Sequence, residues 1–135
     1  SAVTRLTDDD LRSSWGIMQT VPAIATDSRG NVHLGYAARG DIPPPYHEDL
    51  MHLRFDACSG ELTSTLVSTA LVGTQLQNVS LVIGSDDTVH VTSWIPSTTS
   101  LGDYGYWFNQ GAGWIGPERL QLPPSDADEE NFVAC

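Results

Sequence analysis

Histidine, arginine and carboxylate side chains are the groups in this sequence with the widest choice of chemistry. The chain has four histidines, six arginines, 17 acidic residues and no lysine. His33 and His90 occupy equivalent positions in two similar stretches, which suggests a metal site. If the two stretches are repeats arranged around a common axis, however, their equivalent residues lie far apart. A structural hydrogen bond between repeats is therefore the interpretation that we favour for these histidines.

The acidic runs 8–10, 86–87 and 126–130 are the candidates for calcium binding. None of them has the spaced-ligand layout of a known calcium loop, and solvated turns account for all three. We therefore expect no cofactor, and calcium binding stays open without a motif to support it.

A glycoside hydrolase needs paired carboxylates, or a tyrosine nucleophile with an acidic partner and an arginine cluster that holds the substrate carboxylate. The six arginines are scattered along the chain. Surface or inter-repeat pairing is the interpretation that we favour for Arg39 and Arg54. No catalytic residue is assigned, and we do not expect this chain to be an enzyme by itself.

Aromatic side chains are the strongest candidates for binding, because flat aromatic faces stack on the C–H faces of sugars. Trp94 and Tyr104 flank a long loop, where binding residues are common. For Trp107 and Trp114, the interpretation that we favour is that they fill the widening gap at the outer part of each blade. The full candidate set for carbohydrate binding is Trp94, Tyr104, Tyr106, Trp107, Trp114, Tyr36 and Tyr46.

Two stretches of the chain repeat the same pattern of strand, polar turn and strand. Residues 19–34 align with residues 77–91, and the turns Asp-Ser-Arg-Gly-Asn and Ser-Asp-Asp-Thr supply residues suited to tight hairpins. After a longer loop, each copy continues with a third strand, a glycine-containing turn and a fourth strand. The third strands are predicted at 50–55 and 104–109, and the fourth strands at 61–68 and 114–120. Eight prolines and twelve glycines argue against long helices.

This pattern predicts an all-β chain made of two four-stranded antiparallel β-propeller blades. Residues 1–18 would close a preceding blade and form a linker, and residues 131–135 would begin a next one. The two repeats would span residues 19–68 and 77–121. A β-sandwich, which also has short alternating strands, is the alternative fold.

The stretch from Pro22 to His33, Pro-Ala-Ile-Ala-Thr-Asp-Ser-Arg-Gly-Asn-Val-His, resembles repeats of sialidase-like and lectin-like propellers with six or seven blades. The resemblance implies a blade type rather than an activity. The turns at residues 56–61 and 109–114 keep a glycine, and the second keeps Trp114. Both lack the serine and aspartate of the Asp-box found at that turn in the family.

Charge and cysteine content limit the partners and the location of the protein. A net charge of −11 argues against nucleic acid and anionic membranes. No run of about 18 apolar residues is present. Cys58 and Cys135 permit one disulfide, and we expect a secreted or cell-surface protein whose signal has been removed.

Three functions follow from these observations. The first is a carbohydrate-binding, lectin-like propeller module without catalysis, and the second is a structural or protein-interaction propeller segment. The third is a non-catalytic fragment of a sialidase-like glycoside hydrolase. Since two repeats do not close a ring, further blades would come from the same polypeptide or from a homo-oligomer, and the ligand would be a glycan or a protein.

Overall fold

The computed structural model describes residues 22–39, 48–69, 76–95 and 103–120, and these residues form eight β-strands and no helix. The strands are β1 (Ala23–Thr26), β2 (Val32–Arg39), β3 (Glu48–Phe55), β4 (Leu62–Thr69), β5 (Gln77–Ile83), β6 (Val89–Ile95), β7 (Asp103–Asn109) and β8 (Trp114–Leu120).

The strands form two four-stranded antiparallel sheets in chain order, β1-β2-β3-β4 and β5-β6-β7-β8. This confirms the all-β prediction and the division into two four-stranded units. Two such sheets are compatible with a β-sandwich as well as with two blades. The segments 1–18 and 131–135, which we assigned to neighbouring blades, lie outside the described residues.

The hairpin turns form where the sequence places residues suited to positive φ. In the β1–β2 turn, Gly30 has φ +82° and its N–H donates to the Asp27 carbonyl at 3.1 Å. In the β5–β6 turn, Asp87 has φ +61° and its N–H donates to the Gly84 carbonyl at 3.0 Å. Both turns reverse the chain within a few residues, so β2 and β6 start in register with β1 and β5.

The two sheets pack face to face, and the packed surfaces are called the inner faces. The inner face of the first sheet combines small and polar residues, and that of the second sheet is mainly bulky and apolar. The first comprises Ala23, Ala25, His33, Gly35, Ala37, Leu50 and His52. The second comprises Val79, Leu81, Val89, Val91, Ser93, Trp107 and Trp114.

The opposite surfaces of the two sheets are called the outer faces. On the first sheet the outer face includes Ile24, Val32, Leu34, Tyr36, Ala38, Asp49, Met51, Leu53, Phe55, Leu62 and Leu66. On the second sheet it is Ser80, Val82, His90, Thr92, Trp94, Tyr104, Tyr106, Phe108, Ile115, Glu118 and Leu120. Both outer faces carry apolar side chains, so neither has the alternation of an apolar inside and a polar outside that is typical of a sheet facing water.

Gly105 and Gly35 are two positions at which neighbouring side chains lie close to the backbone. A Cβ added at Gly105 would lie 2.8 Å from Trp107 Cζ3 and 2.7 Å from Ile95 Cδ1. One added at Gly35 would lie 3.3 Å from Leu81 Cδ1 and 3.3 Å from Val79 Cγ1. The Trp107 ring therefore covers Gly105 within its own sheet, and Gly35 lets β5 lie close against β2.

Gly105→Ala is expected to lower the free energy of unfolding by about 3 kcal/mol, because the buried Trp107 ring has no space to move away. Gly35→Ala is the graded control and is expected to cost about 1 kcal/mol, since the ends of Leu81 and Val79 can adjust. Urea unfolding followed by circular dichroism measures both. Equal losses for the two variants would contradict this account of the Trp107 packing.

Candidate functional site

The β1–β2 turn is organised around one carboxylate. Asp27 Oδ1 accepts the N–H groups of Arg29 and Asn31 at 3.0 and 2.8 Å, and Oδ2 accepts Asn31 Nδ2 at 2.7 Å. Burial by itself would raise the pKa of Asp27, but the hydrogen bonds from Asn31, His33 and Arg29 outweigh burial and lower this pKa to about 2. Asp27 is therefore ionised at neutral pH although its side chain is only 8% exposed.

A chain of side-chain hydrogen bonds runs from Asp27 across the first sheet. Asp27 Oδ2 lies 3.4 Å from His33 Nε2, which is a long contact, and His33 Nδ1 lies 2.9 Å from His52 Nε2. His52 Nδ1 lies 3.3 Å from Thr65 Oγ1, and the Trp114 indole N–H donates to that same oxygen at 3.2 Å. This chain of hydrogen bonds therefore begins at a turn of the first sheet and ends on the second sheet.

The ionised carboxylate determines the direction of every hydrogen bond in this chain. A carboxylate only accepts, so the proton of His33 is on Nε2 and Nδ1 accepts from His52 Nε2–H. His52 Nδ1 is then an acceptor for the Thr65 hydroxyl, whose oxygen in turn accepts the Trp114 N–H. All five side chains of the series then have a hydrogen-bond partner.

Within this chain of hydrogen bonds, His52 is the side chain whose pKa is shifted most. Burial, together with the nearby His33 and Arg54, lowers the pKa of His52 from 6.5 to about 4. The ring also lies against Trp114, with ring centroids 5.2 Å apart and planes at 70°. A proton added to His52 would therefore be placed in the interface between the two sheets.

The second repeat has a matching pair on its outer face. His90 Nδ1 lies 2.7 Å from the Tyr106 hydroxyl, and the two rings stack with centroids 5.9 Å apart. His33 and His90 thus each bond a side chain of the next strand in the same sheet, so the predicted hydrogen bond between repeats is wrong for both. Within the described residues no three His, Cys, Asp or Glu side chains are close enough to hold an ion.

A polar cleft of about 460 Å³ lies at the end of the sheets where the hairpin turns meet. Its lining combines carboxylates, guanidinium groups and amides: Asp27, Arg29, Asn31, Arg54, Asp86, Asp87, Thr88, Gln110 and Gly111. Ser28 links its two sides, because the Ser28 N–H and hydroxyl donate to the Asp87 carboxylate at 2.8 and 2.6 Å.

The carboxylates of this cleft also hold its own turns together. Hydrogen bonds from Ser28 lower the pKa of Asp87, and those from Thr88 lower the pKa of Asp86. Arg54 donates to Asp56 at 2.8 Å, which is a pairing of the kind expected for this arginine. The lining is thus stabilised by contacts within the chain.

The predicted aromatic residues lie on both faces of the second sheet. Trp94 and Tyr104 are directly opposite each other on β6 and β7, half-buried on the outer face, next to Tyr106. Trp107 is only 1% exposed in the core, and Trp114 lies between the sheets.

The remaining predicted residues fall on the first sheet or outside the described residues. Tyr36 is half-buried on the outer face of the first sheet. Tyr46 and Cys135 lie outside the described residues, and Cys58 is exposed in the β3–β4 turn, so the disulfide stays a prediction. No helix in the described ranges is long and apolar enough to cross a membrane.

The polar chain from Asp27 to Trp114 was not predicted. His33 and His52 are 19 positions apart and meet only because β2 and β3 pair with Gly35 opposite His52. The available signal was the turn aspartate at 27, which is followed six positions later by a histidine on the small face of β2.

A scan against protein-family models and a search of curated proteins found no match to this sequence.

Lowering the pH from 6.5 to 4 is expected to reduce the free energy of unfolding by on the order of 3 kcal/mol through His52. Over this range the unfolded chain binds a proton at position 52 that the folded chain, with a His52 pKa of about 4, does not. His52→Gln keeps a donor toward His33 and removes this slope. Urea unfolding at a series of pH values measures the effect.

His90→Gln is the matched control, since it changes the equivalent histidine and should retain the slope that His52 produces. A wild-type slope in the His52→Gln variant would show that His52 does not titrate in this way.

Proposed function

We propose that this chain is a non-catalytic scaffold segment of a β-propeller, in which four-stranded repeats stack in one direction. The observation that carries the proposal is the relation between the two sheets. The face of the first sheet that packs against the second sheet is equivalent, in the alignment of the repeats, to the outer face of the second sheet.

The matching histidines supply the alignment of the repeats. His33 lies opposite Ala25 and bonds His52, and His90 lies opposite Val82 and bonds Tyr106. His33 is on the inner face of its sheet, whereas His90 is on the outer face. The outer face of the second sheet is therefore the counterpart of the inner face of the first.

The reverse relation holds for the other two faces. Val32 and Leu53 on the outer face of the first sheet correspond to Val89 and Trp107 on the inner face of the second. The outer face of the first sheet is thus suited to pack against a preceding repeat. It would do so in the way in which the inner face of the second sheet packs against the first sheet. Such a head-to-tail relation is the geometry of a stack of repeats.

Contacts between the sheets preserve the order of the strands. The β1–β2 turn contacts the equivalent β5–β6 turn through Ser28 and Asp87, and β4 contacts the equivalent β8 through Thr65 and Trp114. Equivalent parts therefore meet at both sides of the interface. This supports neighbouring blades over a two-sheet sandwich, in which the outer faces would be left to solvent.

The same Val→Thr change on opposite faces tests the stack. Val91→Thr on the inner face, at 0% exposure, is expected to cost about 2 kcal/mol, because it buries an unpaired hydroxyl. Val82→Thr on the outer face is expected to cost about 1 kcal/mol if that face is covered by a repeat. Urea unfolding at a protein concentration at which the chain is assembled measures both, and a neutral or stabilising Val82→Thr under that condition would favour the sandwich.

Carbohydrate binding is a second candidate, which the Trp94–Tyr104 pair supports. These rings are directly opposite each other, near the end of β6 and the beginning of β7. Residues 96–102 lie between these two strands in the sequence. Tyr106 stacks on Phe108 farther along the same face, with ring centroids 5.8 Å apart. Half-buried aromatic rings in a row offer stacking surfaces for sugar rings, with polar neighbours for hydroxyl groups.

Titration with simple sugars, followed by tryptophan fluorescence, tests this candidate. We expect a saturable change whose midpoint rises at least tenfold in Trp94→Ala, since a ring of the platform is lost. Trp114→Phe is the matched control and should bind as the wild type does, because Trp114 lies between the sheets. No response to any sugar would remove the lectin function and leave the scaffold unaffected.

A further inference from the structure

We propose that a second copy of this chain docks on these open surfaces: the outer face of the second sheet of one copy packs on the outer face of the first sheet of the next. The contact is head to tail, so each copy uses two different surfaces. This inference rests on the proposed function and names the partner of the stack.

Both surfaces expose large apolar side chains. On the second sheet, Val82 is 57% exposed and Ile115 is 53% exposed. On the first sheet, Ile24 is 66% exposed and Leu66 is 52% exposed, whereas Leu53 in the middle of the face is already buried. The accessible apolar area therefore lies toward the edge strands, where exposed apolar groups favour association.

The interface inside the chain is the template for the contact between copies. Within the chain, Ala25 of β1 and Leu81 of β5 both pack in the shared core. Their counterparts on the open surfaces are Val82 and Ile24, as given by the register of β1 with β2 and of β5 with β6. A second copy therefore presents the face that the first copy lacks, in the orientation that the chain already uses.

Charge favours these surfaces for self-association. The chain carries a net charge of −11, which opposes contact between most of its surfaces. The described carboxylates on these two outer faces are Asp49 on the first sheet and Glu118 on the second. Two copies can therefore meet there without bringing the acidic turns together.

Ring closure adds a second interface for every copy. A four-stranded face with strands of about seven residues measures roughly 20 Å by 23 Å, which is small for a single stable interface. In a closed ring each copy makes two such contacts, one with each neighbour. Because propellers contain about four to eight blades, three copies with six sheets fit this range.

Mixing two blocked variants tests the head-to-tail contact. Val82→Asp blocks the open face of the second sheet, and Ile24→Asp blocks that of the first. We expect light scattering to give a trimer or larger assembly for the wild type and a monomer for each variant alone. At high protein concentration an equimolar mixture should give a heterodimer that is weaker than the wild-type assembly, because one intact face remains on each partner but the ring is not closed.

Ala112→Asp is the matched control, since it adds the same charge in the exposed β7–β8 turn. It should assemble as the wild type does, and circular dichroism should show that all three variants are folded. A monomeric wild type, or a single blocked variant that still assembles, would overturn the proposal.

The failure of this inference is distinguishable from failure of the scaffold. A monomeric wild type would overturn docking of a second copy and would leave the scaffold proposal intact, because the further repeats would then belong to the same polypeptide. An assembled wild type whose size neither Val82→Asp nor Ile24→Asp changes would overturn both, because the copies would then meet through surfaces other than the outer faces.

Discussion

The close approach of β2 to β5 is the constraint on which the rest of the structure depends. Gly35 and Ala37 give the first sheet a shallow surface, and Val79 and Leu81 fill it from the second. This contact sets the distance between the sheets at one edge. The reach from Trp114 to Thr65 at the other edge and the meeting of the two hairpin turns both require that distance. Small residues on one strand thus determine how two repeats fit together.

A polar chain crosses this otherwise apolar interface, and it is tolerated because every member has a partner. Asp27 keeps its charge through hydrogen bonds within its own turn, and it orients His33 and His52 in sequence toward the second sheet. Buried polar groups with complete hydrogen bonding impose one arrangement on their surroundings, whereas apolar contacts tolerate several. The apolar contact supplies attraction between the sheets, and the polar chain selects their alignment.

The strands and turns were predictable because their signals are local. The third and fourth strands of the second repeat were expected at 104–109 and 114–120, and they lie at 103–109 and 114–120. Alternation along β2 correctly separated a bulky from a small face. It does not indicate which face is covered, since both are compatible with burial between sheets.

The side-chain network and the depth of each aromatic ring depend on register, which composition does not reveal. Trp107 and Tyr106 are adjacent in sequence, yet one is buried in the core and the other lies on the outer face.

A head-to-tail contact between two different surfaces leaves one free surface at each end of the assembly, so a further copy can be added at either end. Whether such a series ends in a ring or continues as a filament depends on the angle between successive sheets. The chain uses Gly35 and Ala37 at its internal junction, whereas Thr92 and Trp94 stand at the corresponding positions of its open end. In the proposed head-to-tail assembly, larger side chains at these positions would widen the angle between successive sheets. The volume of these residues on β6 would then decide between a closed ring and an open filament.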